Sequence, residues 1–239
     1  MSTITIIPVL KDNYSYVLTT GDGVTAVIDP GEAAPVIDYL DKHNLSCAYI
    51  LNTHHHGDHI AGNQAIKDAF GATLIAPDAE KDKIGGVDRP VKDGERLRIG
   101  DEDIHVIATP GHTSGHVVFY LPRSNILFSG DTLFSMGCGR LFEGTPDEMW
   151  RSLEALMALP DETQIYCGHE YTLSNAAFCR TIEPDNPALL ARIQQAEACR
   201  AENKPTIPVS LATEKATNIF LRARNAAHFA DLRRQKDSA

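Results

Sequence analysis

Short apolar runs broken by turn residues open the chain. Residues 3–9 and 14–20 are β-rich and flank the turn-prone Lys11-Asp12-Asn13. Gly21-Asp22-Gly23 turns the chain into a third run at 24–29, so an antiparallel meander is expected. Val36, Ile37 and Leu40 then recur at helical spacing between 33 and 44. A buried strand follows at 47–52, a helix at 60–70 closed by Gly71, and a short strand at 73–76. Residues 77–94 are polar and read as a surface excursion. A second β-rich block covers 96–99, 104–108, 117–121 and 126–128. Thr145-Pro146-Asp147-Glu148 predicts a capped helix start, with Pro at its first position and a capping box, running to Pro160. After the strand at 164–167 the pattern becomes helical, over 174–182, 186–203 and 226–236. Thr206 to Ser210 is the one later stretch with strand character. The expected class is α+β, a mixed domain over 1–170 followed by a helical domain over 171–239.

Composition narrows the partners. The 239 residues suffice for a sizeable core, and the formal net charge of −10 disfavours nucleic acid and anionic membrane. The five cysteines are odd in number and lack a Cys-x-x-Cys pair, so buried free thiols in a reducing compartment are expected. The N-terminus reads as a strand and no apolar run reaches membrane-spanning length. A cytoplasmic monomer is the resulting expectation.

The chemistry gathers behind the strands. Thr53 to His59 carries four histidines and an aspartate directly after the strand at 47–52. The strand at 104–108 leads to His112, that at 126–128 to Asp131, and that at 164–167 to His169. Each delivers a metal-ligand residue type from a Gly-containing turn, as sites at strand carboxyl ends do. Imidazole and carboxylate together suit zinc, iron or manganese. Seven candidate ligands result: His54, His56, Asp58, His59, His112, Asp131 and His169. They divide as His54, His56 and His112 on one ion and Asp58, His59 and His169 on another, with Asp131 bridging. His55 should point away, and His116 should support His112 from below. His43, His105 and His228 are assigned to surface or packing.

The spacing His-x-His-x-Asp-His at 54–59, with His112, Asp131 and His169, resembles the metallo-β-lactamase superfamily. Residues 136–145, 166–172, Phe220-Leu221-Arg222 and 233–237 are similar to the glyoxalase II (hydroxyacylglutathione hydrolase) family. The resemblance implies an αββα sandwich with a two-metal site, followed by a small all-α domain that helps bind glutathione. It implies hydrolysis of S-lactoylglutathione to glutathione and D-lactate through a metal-bridging hydroxide, the second step of methylglyoxal detoxification. Asp58 and Asp131 would be the catalytic carboxylates. Arg233 and Lys236 would grip the glycine carboxylate of glutathione, and Tyr171 with the backbone near Arg140 and Phe142 would contact the peptide. Some relatives carry Lys in place of Arg140 and Tyr in place of Phe142. The alternatives are a one-metal persulfide dioxygenase, a nuclease and a metal-storage module. The bland alternative for Arg233 and Lys236 is a solvated basic helix end.

Overall fold

The computed structural model describes residues 2–238. It divides into two compact units, Met1–Ala108 with Gly115–Ser124, and Thr109–Ser114 with Asn125–Ala239.

In the first unit, β1 (Thr3–Val9), β2 (Asn13–Thr19) and β3 (Thr25–Ile28) form the expected antiparallel meander. The β1–β2 turn is tight, and Leu10 at its start takes a left-handed φ of 53°. From β3 onward the sheet becomes parallel. Helix α1 (Ala33–Lys42) carries the chain to β4 (Tyr49–Leu51), and α2 (Gly57–Ile60) with α3 (Asn63–Phe70) carry it to β5 (Thr73–Pro77). Such helical crossovers are what parallel neighbours require. Val36 and Leu40 of α1 and Ile66 of α3 join Val17, Val27, Ile50 and Leu74 of the sheet in one buried cluster.

Two expectations need correction here. The helix expected over 60–70 is broken at Ala61-Gly62, because Gly62 closes on the 30–33 turn. Its amide donates to the Pro30 carbonyl at 2.8 Å, and a Cβ there would lie 2.7 Å from that oxygen. The polar stretch 77–94 is more than a surface excursion. It holds a 3-10 turn at Asp78–Glu80, the edge strand β6 (Arg89–Val91) parallel to β5, and the buried side chains of Glu80, Ile84 and Val91. The unit continues with the antiparallel ladder β7 (Arg96–Ile99), β8 (Glu102–Ala108) and β9 (Val117–Leu121).

In the second unit, β10 (Ile126–Gly130) is followed by a hairpin of two short strands, β11 (Leu133–Phe134) and β12 (Gly137–Cys138). Helix α4 (Pro146–Met157) begins with the expected capping box. The Thr145 hydroxyl accepts from the Glu148 amide, and the Glu148 carboxylate accepts from the Thr145 amide at 2.8 Å. Strand β13 (Gln164–Cys167) runs parallel to β10, with a bulge between Phe128 and Gly130. Then come α5 (Thr172–Ile182), α6 (Pro187–Ala201), β14 (Val209–Ser210), α7 (Leu211–Thr217) and α8 (Ala226–Asp237). Asn186 caps α6 by accepting from the Ala188 and Leu189 amides. The two residues of β14 pair antiparallel with β13, so the stretch with strand character does form one. Among the described residues no helix is long and apolar enough to cross a membrane.

Candidate metal centre

The first unit presents His54, His56, Asp58 and His59 immediately after β4. Their loop is fixed by Asp29, which is not among the seven candidate ligands. Asp29, at the end of β3 and buried, accepts from the Thr53 amide at 2.8 Å and the Thr53 hydroxyl at 2.6 Å. Its Oδ2 also meets His59 Nδ1 at 3.2 Å. The single Thr53 proton goes to Asp29, so the Thr53 oxygen accepts from His54 Nδ1–H, 3.0 Å away. Both imidazoles thereby carry their proton on Nδ1 and leave the Nε2 lone pair outward, the arrangement that orients metal-binding histidines. His54 Nε2 faces His56 Nδ1 at 3.1 Å with the rings edge-on, so the two do point the same way, although the chain bends at Thr53-His54 rather than running extended.

Asp58 lies in the first turn of α2, and Asn13 donates to its Oδ2 at 2.8 Å. Gly31 passes so close that a Cβ would sit 2.0 Å from the Asp58 carbonyl, which excludes any other residue there. Asn52 and Asn63 bond each other, and Asn52 also donates to the His59 carbonyl at 3.1 Å. His55 turns to the buried Glu80, whose other oxygen accepts from the Gly115 amide. His116, expected to support His112, stacks on His54 with ring centroids 4.9 Å apart. His43 and His105 pack on Tyr39 and Tyr120, and His228 accepts from the Arg224 amide, as packing residues should.

The second unit presents the other three. Asp131 follows the left-handed Gly130 at the end of β10, and its Oδ2 lies 3.3 Å from His112 Nε2 and 3.3 Å from His169 Nε2. His112 Nδ1 donates to the Arg140 carbonyl at 2.9 Å, again leaving Nε2 as the outward lone pair. Gly139 is obligatory here too, since a Cβ would lie 2.0 Å from the Asp131 carbonyl and 3.1 Å from His112 Nδ1. The Tyr171 ring lies flat on His169 at 4.6 Å. Phe142 is exposed and meets His112 edge-on at 5.2 Å.

The remaining candidates are in the same unit. Arg233 is buried, with Nη1 on the Cys138 carbonyl at 3.1 Å and Nε and Nη2 on Asp237 at 3.1 and 2.8 Å. Lys236 donates to the Ser174 carbonyl at 3.0 Å, and Arg140 approaches Asp237 at 3.6 Å. Burial and the neighbouring Arg233 charge hold the Lys236 ammonium below its ordinary value. All five cysteines are free thiols, as expected, and burial pushes Cys47, Cys167 and Cys179 up to about 12 and Cys138 to about 11. None of these four is a nucleophile at neutral pH.

Residues 10–169 match the metallo-β-lactamase superfamily, and residues 170–239 match the hydroxyacylglutathione hydrolase C-terminus. The strand-end histidines and aspartates on mixed sheets are those of a metallo-β-lactamase-type fold, an α+β sandwich of the αββα kind carrying a helical C-terminal domain. Two similar proteins are named hydroxyacylglutathione hydrolase. One from Methylococcus capsulatus (strain Bath) is 47% identical over 97% of this chain and 96% of its own length. One from Rhizobium meliloti (strain 1021) is 48% identical over 95% and 94%. A protein solved in a di-iron-bound form, TTHA1623, superposes with a TM-score of 0.58 at 30% identity, covering 66% of this chain and 87% of its own. The chain belongs to the hydroxyacylglutathione hydrolase family.

Superfamily membership carries divalent-metal binding, and the donor set fits it. His54, His59 and His112 each have Nδ1 engaged by an oxygen, and the Nε2 of each faces another candidate ligand, His56, Asp58 and Asp131 respectively. Asp29 sits among ligand-type atoms with His54 and His59, but its oxygens are committed to Thr53 and His59 Nδ1, so it is placed to orient those candidate ligands. The signal that could have found it is the strand-end rule applied to β3. Asp29→Asn should weaken metal affinity about tenfold by disturbing both tautomers. Competition against a chromophoric chelator measures this, and unchanged affinity would deny Asp29 the orienting role.

Proposed function

We propose that this chain hydrolyses the thioester of S-lactoylglutathione and related S-2-hydroxyacylglutathiones, releasing glutathione and the hydroxy acid, here D-lactate. The observation that carries this is one of proximity within the second unit. The residues that hold His112 and His169 are continuous with a cationic cluster suited to a glutathione carboxylate. Arg140 contributes its carbonyl to His112 and its guanidinium to the Asp237 group that also binds Arg233. The names of the relatives support the same substrate.

In this reading residues 1–170 are the catalytic domain and 171–239 the glutathione-binding domain. The ligands divide as His54, His56 and His112 on one ion and Asp58, His59 and His169 on a second, with Asp131 between them. The equal 3.3 Å approaches of Asp131 Oδ2 to His112 and His169 support that division. Zinc is the proposed metal, with iron or manganese as alternatives the same ligands accept. Bound divalent ions supply a water of near-neutral pKa and polarise the carbonyl under attack.

The chain's own residues do the rest. Asp58, steadied by Asn13, would orient the attacking group toward the thioester carbon as well as bind metal. Tyr171 and Phe142 flank His169 and His112 as the walls against which the peptide lies. Arg233 and Lys236 take the glycine carboxylate and Arg140 the backbone nearby. The departing thiolate is a good leaving group, with a thiol pKa of about 8.5, so no general acid is needed. The net charge of −10 supports a small-molecule substrate over nucleic acid or an anionic membrane, and the free cysteines support the cytoplasm. A monomer is the proposed state.

The test is hydrolysis of S-lactoylglutathione by protein whose metal content is measured on the same sample. Turnover should be lost after chelation and restored by zinc. Full metal occupancy with no turnover would defeat the proposal. Oxygen uptake with glutathione persulfide would replace it by the dioxygenase alternative.

A further inference from the structure

The hairpin β11–β12 is too short to hold itself, with two residues in each strand. Side chains from the helices hold its backbone instead. Glu214 of α7, fully buried, accepts from the Met136 amide at 2.8 Å and from Asn218 Nδ2 at 3.0 Å. Asn218 Nδ2 also donates to the Gly137 carbonyl at 2.9 Å and the Phe134 carbonyl at 3.3 Å, while its Oδ1 accepts from the Phe220 amide. Asn175 donates to the Ser135 carbonyl, and Arg192 to the Ser135 hydroxyl. Met136 takes a left-handed φ of 55° at the turn, an uncommon conformation for a side chain of that size.

What the hairpin carries makes this fastening consequential. The Cys138 carbonyl fixes Arg233 Nη1. Phe134 meets Tyr171 edge-on at 5.4 Å and His169 at 5.9 Å. Gly139 touches Asp131, and Arg140 follows. A shift of the hairpin would move the cationic grip and the aromatic wall together.

We propose that Glu214 and Asn218 are positioning residues for thioester hydrolysis, holding the 134–138 hairpin that fixes Arg233, which with Lys236 would take the glutathione carboxylate. The inference rests on the proposed function. What matters in it is reach. Burial pushes the Glu214 carboxyl up to about 7, toward its neutral form, and a neutral amide of equal length can accept the same two bonds.

Four proteins test it: wild type, Glu214→Gln, Glu214→Asp and Asn218→Ser. Each is read for KM and kcat on S-lactoylglutathione, Kd for glutathione and Tm. Glu214→Gln should keep the wild-type KM. Glu214→Asp keeps the charge but is one methylene short, and Asn218→Ser no longer reaches the two carbonyls. Each should raise KM and Kd about tenfold, the equivalent of one charge-assisted hydrogen bond, with kcat nearly unchanged. A merely structural role would lower Tm and leave KM alone. If Glu214→Asp fails to fold, Asn218→Ser decides. Wild-type KM in a folded Asn218→Ser, or a Glu214→Gln as impaired as Glu214→Asp, overturns the positioning role while the hydrolase reading stands. If wild type shows no turnover, that reading falls, and the glutathione Kd series decides the clasp alone. A wild type that does not bind glutathione overturns both.

Discussion

Alanine at position 131 should yield a folded protein that retains neither ion and has lost on the order of a thousandfold in turnover. Asp131 ends β10 behind the bulge, nearly buried, with one oxygen 3.3 Å from each of two imidazole nitrogens that belong to different strand ends. In the proposed centre it is the one ligand common to both ions, so its removal subtracts a donor from each. Every other ligand substitution subtracts from one. A thousandfold corresponds to about 4 kcal/mol of transition-state stabilisation, within what metal-ion catalysis supplies. Asp131→Asn, which keeps one oxygen, should fall between. The measurement is metal per chain by emission spectroscopy alongside kcat. Two ions retained by Asp131→Ala would place the bridge on another residue. One ion retained would mean that Asp131 serves a single metal.

Most of that centre could be read from sequence, and the reason is local. A ligand is delivered by the turn after a buried strand, and both signals lie within a few adjacent residues. The capping box at Thr145 and Glu148 and the Asn186 cap were legible for the same reason. What was missed depends on distant chain. The break at Ala61-Gly62 exists because Pro30 needs Gly62 against it, and nothing between 60 and 70 announces this. Asp29 beside Pro30 looks like an ordinary strand stop until Thr53 and His59 close on it. The 77–94 stretch is polar on average, which conceals the buried Glu80 and Ile84 that anchor it. The 133–138 hairpin is too short to show a period, and its bonding partners lie some forty to eighty residues later. Arg233 was named only through the family resemblance. A charged residue near a helix end reads as solvated, yet its guanidinium lies over the Phe220 ring at 5.1 Å and is 5% exposed. That burial rules out the solvated helix end for Arg233 and leaves open what the buried cation is for.

Arg233→Ala answers that question, and the expected result is a rise in KM for S-lactoylglutathione of about a hundredfold. The guanidinium spends Nη1 on the Cys138 carbonyl, which orients it, and Nε and Nη2 on a single oxygen of Asp237. Asp237 is only partly buried, and Arg140 approaches the same oxygen at 3.6 Å. A substrate carboxylate entering this cluster meets Arg233, Lys236 and Arg140 with one resident carboxylate to displace. Losing the buried member of such a charge pair costs roughly 3 kcal/mol, hence the factor. Because glutathione is held alike in the ground state and the transition state, kcat should change little. Asp237→Asn supplies the opposite sign. It removes the competing carboxylate, so KM should fall or stay level although a salt bridge is gone. If Arg233 were only a strut between α8 and the hairpin, both variants would lower Tm together and neither would move KM. A KM for Arg233→Ala within about twofold of wild type, at normal Tm, would take the cation out of substrate binding altogether.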